Sequence, residues 1–152
     1  MIFDTQSSLV LTFEIVYVSN PMVLSIEHNN KLETFDSLPG GLFYYRTNIQ
    51  FPSKLAITVS GKTIEDTLVD SSNNIIKDTY IKLVDIEIDN LSCEENYVYK
   101  YITLNTTDGQ VLTTNYWGFN GIVELDFFEK NSFYWALNCA TYNEGNSKTT
   151  YI

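Results

Sequence analysis

A chain of 152 residues lies in the ordinary range for one domain. A domain of that size buries about 70% of the surface its unfolded form exposes, so it needs neither metal nor disulfide to fold. Aspartate and glutamate number 19 against 9 lysines and arginines, a formal net charge of -10, which argues against nucleic acid as a partner because phosphate binding calls for clustered cations. No stretch approaches the ~18 consecutive apolar residues of a membrane span, and "MIFDTQSSLV" has neither the basic start nor the apolar run of a secretory signal, so neither a membrane partner nor secretion is expected.

Period-2 patterns run from end to end. In "SLVLTFEIVYV", Leu9, Leu11, Phe13, Ile15 and Tyr17 fall on one face of a predicted strand. "SNP" (Ser19 to Pro21) ends it, and "MVLSIEHNN" follows with Met22, Leu24 and Ile26 in phase, so the two read as a first hairpin; "EHNNK" is the next turn. "LPGG" at Leu38 to Gly41 is a strong turn signal, because proline fixes one φ and glycine permits a positive one. "LFYYRTNIQF" and "LAITVSG" read as two further strands around "PSK", "TIEDTLVD" is ambiguous, and "SSNN" (Ser71 to Asn74) is a loop. "TYIKLVDIEIDN" alternates with Val84, Ile86 and Ile88 inward and Asp85, Glu87 and Asp89 outward. "GIVELDFFEK" and "SFYWALNCATY" read as strands on either side of a turn at Lys130 and Asn131.

Roughly ten short strands with turn signals between them, and no amphipathic helix longer than a turn or two, predict an all-β fold: an antiparallel β-sandwich or jelly roll, as a single domain over residues 1–152.

Catalytic and metal chemistry find little support. The single histidine, His28, lies in the polar turn "EHNNK" with no nucleophile motif beside it, and is expected to face solvent. Cys93 and Cys139 form no CxxC and are expected as two isolated buried thiols; no zinc set can be completed. Asp85, Glu87 and Asp89 stand about 7 Å apart along one strand face, too far for neighbours on one strand to hold a calcium ion. Asp85 with Glu87, or Glu124 with Asp126, meets the carboxylate separation of a glycosidase on distance, roughly 5 to 9 Å, but a solvated polar face is the simpler account. "LPGGL" and "WGFNG" match no phosphate-binding pattern. No enzyme activity, metal or cofactor is expected.

Aromatic residues remain. "YVYKYITLNTTDGQVLTTNYWGF" reads as two strands folded back on each other. A two-residue turn at Asp108 and Gly109 sets Tyr101 against Tyr116. A three-residue turn over Thr107, Asp108 and Gly109 pairs Leu104 with Leu112 and Tyr99 with Trp117; this register groups apolar with apolar and is preferred. It leaves Tyr97, Tyr99, Tyr101 and Trp117 on one face and Val98, Ile102, Leu104 and Leu112 on the other. The aliphatic face suits the core, so the four aromatic residues are the candidates for contact with a protein partner or a sugar.

An acidic, Asn-, Thr- and Tyr-rich all-β chain with alanine only at Ala56, Ala136 and Ala140 resembles the small virion accessory proteins of tailed bacteriophages, in particular the capsid auxiliary proteins of crAss-like phages. The resemblance lies in composition and strand layout and assigns no residue. It implies a non-enzymatic structural protein of the virus particle, made in the host cytoplasm and located in the virion. Its partners would be other virion proteins or further copies of itself, as a capsid decoration or a head, neck or fibre component. The alternative is a carbohydrate-binding β-sandwich module that uses exposed Tyr or Trp, with rings in an open groove beside Asn, Asp or Gln.

Overall fold

A computed structural model of the protein describes residues 6–106 and 108–139. Its strands, in chain order, are β1 (Ser7–Val16), β2 (Val23–His28), β3 (Lys31–Phe35), β4 (Gly41–Ile49), β5 (Ser53–Ser60), β6 (Thr67–Val69) and β7 (Ile75–Asp78). After these come β8 (Tyr80–Ile88), β9 (Leu91–Ser92), β10 (Ile102–Thr106), β11 (Val111–Leu112), β12 (Tyr116–Trp117) and β13 (Gly121–Phe127). One antiparallel sheet runs β12-β8-β1-β4, with β9 also on β8, and the other runs β11-β10-β13-β5-β2-β3. The pair β6–β7 forms a small hairpin of its own. The fold is an antiparallel β-sandwich.

The core follows from alternation. Leu9, Leu11, Phe13 and Ile15 of β1 meet Leu24 and Ile26 of β2, and Leu55, Ile57 and Val59 of β5, in one buried cluster. Each such side chain contributes roughly 1.5–3 kcal/mol by leaving water. On β8 the alternation changes phase. Thr12 pairs with Asp85 but Phe13 with Leu83, so Val84 is an extra residue in a β-bulge. Ile81 and Leu83 face inward before the bulge and Ile86 and Ile88 after it. Val84, expected inward, is only half-buried for that reason.

Other expectations are corrected. Strands β1 and β2 lie in different sheets, so Ser19–Pro21 is a crossover and not a hairpin turn. The hairpin lies one step later, where Asn29 (φ 54°) and Asn30 (φ 61°) join β2 to β3 in the left-handed conformation that such two-residue turns require. His28, expected in solvent, ends β2 facing inward and is 7% exposed, with Nε2 3.2 Å from Ser53 Oγ. Burial holds its pKa below the ordinary 6.5. Tyr97 to Tyr101 is not a strand: helix α1 (Glu95–Val98) and a 3-10 turn (Tyr99–Tyr101) occupy it. The segment after Lys130 is likewise a helix, α2, over residues 132–139, and the remainder of "SFYWALNCATY" lies outside the described residues. Asn131 starts α2, its Oδ1 accepting from Tyr134 N at 3.2 Å.

Candidate functional site

The chain leaves β5 through Gly61 (φ 86°) and runs as Lys62–Thr63 beside Gly118–Asn120, the link between β12 and β13. Asn120 binds the two segments together. Its Nδ2 donates to Lys62 O, and its Oδ1 accepts from Lys62 N, both at 3.0 Å, so one side chain takes the place of a strand neighbour. Lys62 Nζ donates to Gly118 O at 2.7 Å and to Asp78 Oδ1 at 2.6 Å.

Asp78 is the hub beneath. Its Oδ1 also accepts from Thr67 Oγ1 at 2.7 Å and Thr79 N at 2.9 Å, and its Oδ2 from Tyr116 hydroxyl at 2.7 Å. Burial alone would raise its pKa, but the hydrogen bonds from Lys62, Thr67 and Tyr116 together with the lysine charge hold it below the usual value. Tyr116 in turn lies against Tyr80, ring centroids 4.5 Å apart, and the Tyr80 hydroxyl donates to Glu14 Oε1 at 2.7 Å, a bond that with burial pushes its pKa up to about 12. Thr63 is fixed by Asp66, whose Oδ2 accepts from Thr63 N at 2.7 Å and Thr63 Oγ1 at 3.2 Å.

On this rigid base lies a groove of about 350 Å³. It is lined by Lys62, Thr63 and Asn120, by Asp108 and Gln110 of the β10–β11 turn with Leu112 of β11, and by Phe119, which is 53% exposed. An aromatic ring with carboxylate, amide and hydroxyl groups around it can hold a ligand with one apolar face and a polar periphery. A second hollow, about 400 Å³ near the β2–β3 turn, is lined by Glu27, His28, Asn29, Asn30, Lys54, Leu55, Ala56 and Glu124, with no Phe, Tyr or Trp among the described residues.

The residues singled out in the sequence lie elsewhere. Tyr97, Tyr101 and Trp117 are interior, at 4%, 1% and 0% exposure, and only Tyr99 is half-exposed. The reason is the helical path: Tyr97 and Tyr101, four residues apart, share the inner side while Tyr99 points out. The Tyr101 hydroxyl donates to buried Glu129 Oε2 at 2.8 Å. Trp117 pairs with Ile81 of β8 rather than with Tyr99, and its Nε1 donates to Thr114 O at 2.8 Å. The other half of the preferred register holds, Leu104 opposite Leu112 with Gly109 at φ 90°; Thr107 lies outside the described residues.

Three of the acidic positions singled out in the sequence are engaged in structure. Asp85 Oδ1 accepts from Ser92 Oγ at 2.7 Å, Asp89 Oδ1 accepts from Ser8 N at 2.9 Å, and Glu124 pairs with Lys54 at 3.6 Å. Cys93 and Cys139 are free and buried. Desolvation raises both thiols, Cys139 to about 12. Among the described residues no group of three or more His, Cys, Asp or Glu is placed to hold a metal ion. Phe119 was the residue missed. Its signal was an aromatic side chain inside the glycine-bounded turn "WGFNG", where a backbone built for a tight loop leaves a ring no core to enter.

No protein-family model and no curated protein matches the sequence. Among solved structures, the chain is similar to the selenomethionine form of vCBM60, from work on circular permutation as an evolutionary link between two families of calcium-dependent carbohydrate binding modules. The TM-score is 0.50 at 9% identity, over 79% of this chain and 90% of that one. The likeness is one of fold. vCBM60 in complex with galactobiose aligns with a TM-score of 0.48 at 7% identity, over 78% of this chain and 97% of that one. The expected role as a virion structural protein, with virion proteins as partners, is thereby corrected: the solved structure whose fold this chain shares, vCBM60, is a carbohydrate-binding module and not a virion protein.

Proposed function

We propose that the protein is a non-catalytic carbohydrate-binding module whose sugar site is the Phe119 groove. The observation that carries this reading is the half-exposed Phe119 ring standing in a concave groove among Thr63, Asp108, Gln110 and Asn120. The C–H face of a pyranose ring lies on the aromatic ring while its hydroxyls meet the polar side chains. The sandwich fold shared with vCBM60 supports the reading. The Asp78 network supports it too, since binding is strongest where the contact groups are already held in place.

The described lining of this groove does not fit a resident calcium ion. Calcium takes 6–8 oxygen ligands, whereas the described lining offers one carboxylate, Asp108, and the Asn120 amide oxygen is committed to Lys62 N. Sugar contact is therefore assigned to the protein's own groups.

A glycan array followed by calorimetry on the best ligand tests the reading. Wild-type protein is expected to bind, with and without a chelator. Phe119→Ala is expected to lose about tenfold or more in affinity, equivalent to roughly 1.4 kcal/mol, while its melting temperature stays put because the ring is exposed. Binding to no glycan, or full affinity in Phe119→Ala, contradicts it.

A further inference from the structure

We infer that Lys62 is the positioning residue of the groove, its ammonium tying the backbone beside Phe119 to Asp78 so that the ring is already placed when a sugar arrives; the inference rests on the carbohydrate-binding reading above. Lys62 holds both chain neighbours of Phe119. On one side its backbone N–H and C=O bond the Asn120 side chain, both at 3.0 Å, and on the other its Nζ donates to Gly118 O at 2.7 Å. The Nζ is in turn fixed by Asp78 Oδ1 at 2.6 Å. Thr67 Oγ1, Thr79 N and the Tyr116 hydroxyl all donate to that carboxylate, so the ammonium is gripped by a group that cannot itself drift.

Stability gives a poor account of this ion pair. Its side chains are only 13% and 18% exposed, and exchanging a largely buried pair for uncharged residues of similar shape is often neutral, although removing one partner alone is costly. What an uncharged pair cannot do is grip the Gly118 carbonyl. Methionine at position 62 keeps the unbranched stem and leaves both backbone bonds to Asn120 in place, but it has no N–H to donate. Phe119 is then anchored on one side only, and sugar binding has to supply the missing order, which weakens affinity by roughly two- to tenfold for each group immobilised.

The test compares the full chain with Lys62→Met and with the double variant Lys62→Met, Asp78→Asn, in which no charge is left unpaired. Each is titrated calorimetrically with the tightest glycan found for the wild type, melted, and examined without sugar by backbone relaxation in nuclear magnetic resonance. The double variant is expected to melt close to the wild type yet bind up to about tenfold more weakly. In the sugar-free double variant the Phe119 amide should lose order, its order parameter falling from about 0.85 towards 0.6. Relaxation separates positioning from direct contact, since a lysine that only touched the sugar would leave the free protein's Phe119 amide unchanged. Full affinity in the double variant overturns the inference, and so does weaker binding with Phe119 as ordered as in the wild type. A double variant that melts far below the wild type overturns it too, because the pair is then a support of the fold. All three leave the carbohydrate reading standing, whereas a wild type that binds no glycan overturns that reading and the inference with it.

Discussion

At Gly118 an added methyl group would lie 2.8 Å from Cε1 of Tyr116, 3.3 Å from Asp78 Oδ2 and 3.4 Å from Lys62 Nζ. The Tyr116 ring cannot swing aside cheaply, because its hydroxyl is bonded to Asp78 and its face lies on Tyr80. Gly118→Ala is therefore expected to cost about 1–3 kcal/mol by overpacking and to shift the neighbouring Phe119, so denaturant unfolding and sugar affinity should both report it. Asp78 supplies a pH signature at the same place. Its folded-state carboxyl ionises below the ordinary 3.8, so the unfolded chain takes up the proton first. The stability this contributes is complete above the unfolded value and lost as pH falls through the folded one. Asp78→Asn should be less stable at neutral pH, because it leaves Lys62 without its counter-charge, and should lose less stability than wild type on going from about pH 5 to pH 2. Melting curves across that range check both signs.

The strands were legible because a half-buried strand has one period, and β1, β5 and β13 keep it from end to end. Two helical elements were not, and both are aromatic. Three tyrosines at alternate positions satisfy a strand, yet the first and third also stand four apart, as helical neighbours do. Tertiary packing chose the second arrangement and buried Tyr97, Val98, Tyr101 and Ile102 together. In α2 the same spacing, Trp135 with Cys139, lay in plain sight behind the Asn131 cap, but Phe133, Tyr134 and Leu137 on the exposed side hid it by making the segment apolar all round. The consequence is measurable. Tyr101→Ala should cost roughly 3 to 5 kcal/mol in stability, whereas Tyr99→Ala, at an exposed position on the same turn, should change it by no more than about 0.5 kcal/mol. Equal effects in equilibrium denaturation would restore the strand reading.

On the scale of the whole molecule, sandwich architecture was readable from alternation and turn spacing, and the site was not. A groove on a sandwich is assembled from loops far apart in sequence: residues 62–63, 108–112 and 118–120 meet only because β5, β10 and β12 end near one another. No local motif announces such a meeting. Composition drew attention to the most tyrosine-rich stretch, and packing needs, which bury large rings first, took three of its four candidate residues into the core. The central claim is therefore one of location, and amide chemical-shift mapping by nuclear magnetic resonance tests it most directly. On titration with the best glycan ligand, the account predicts perturbations concentrated at Lys62, Thr63, Asp108 to Leu112 and Phe119 to Asn120. Perturbations centred instead on Glu27 to Asn30 and Lys54 to Ala56, or on Tyr99, would contradict it.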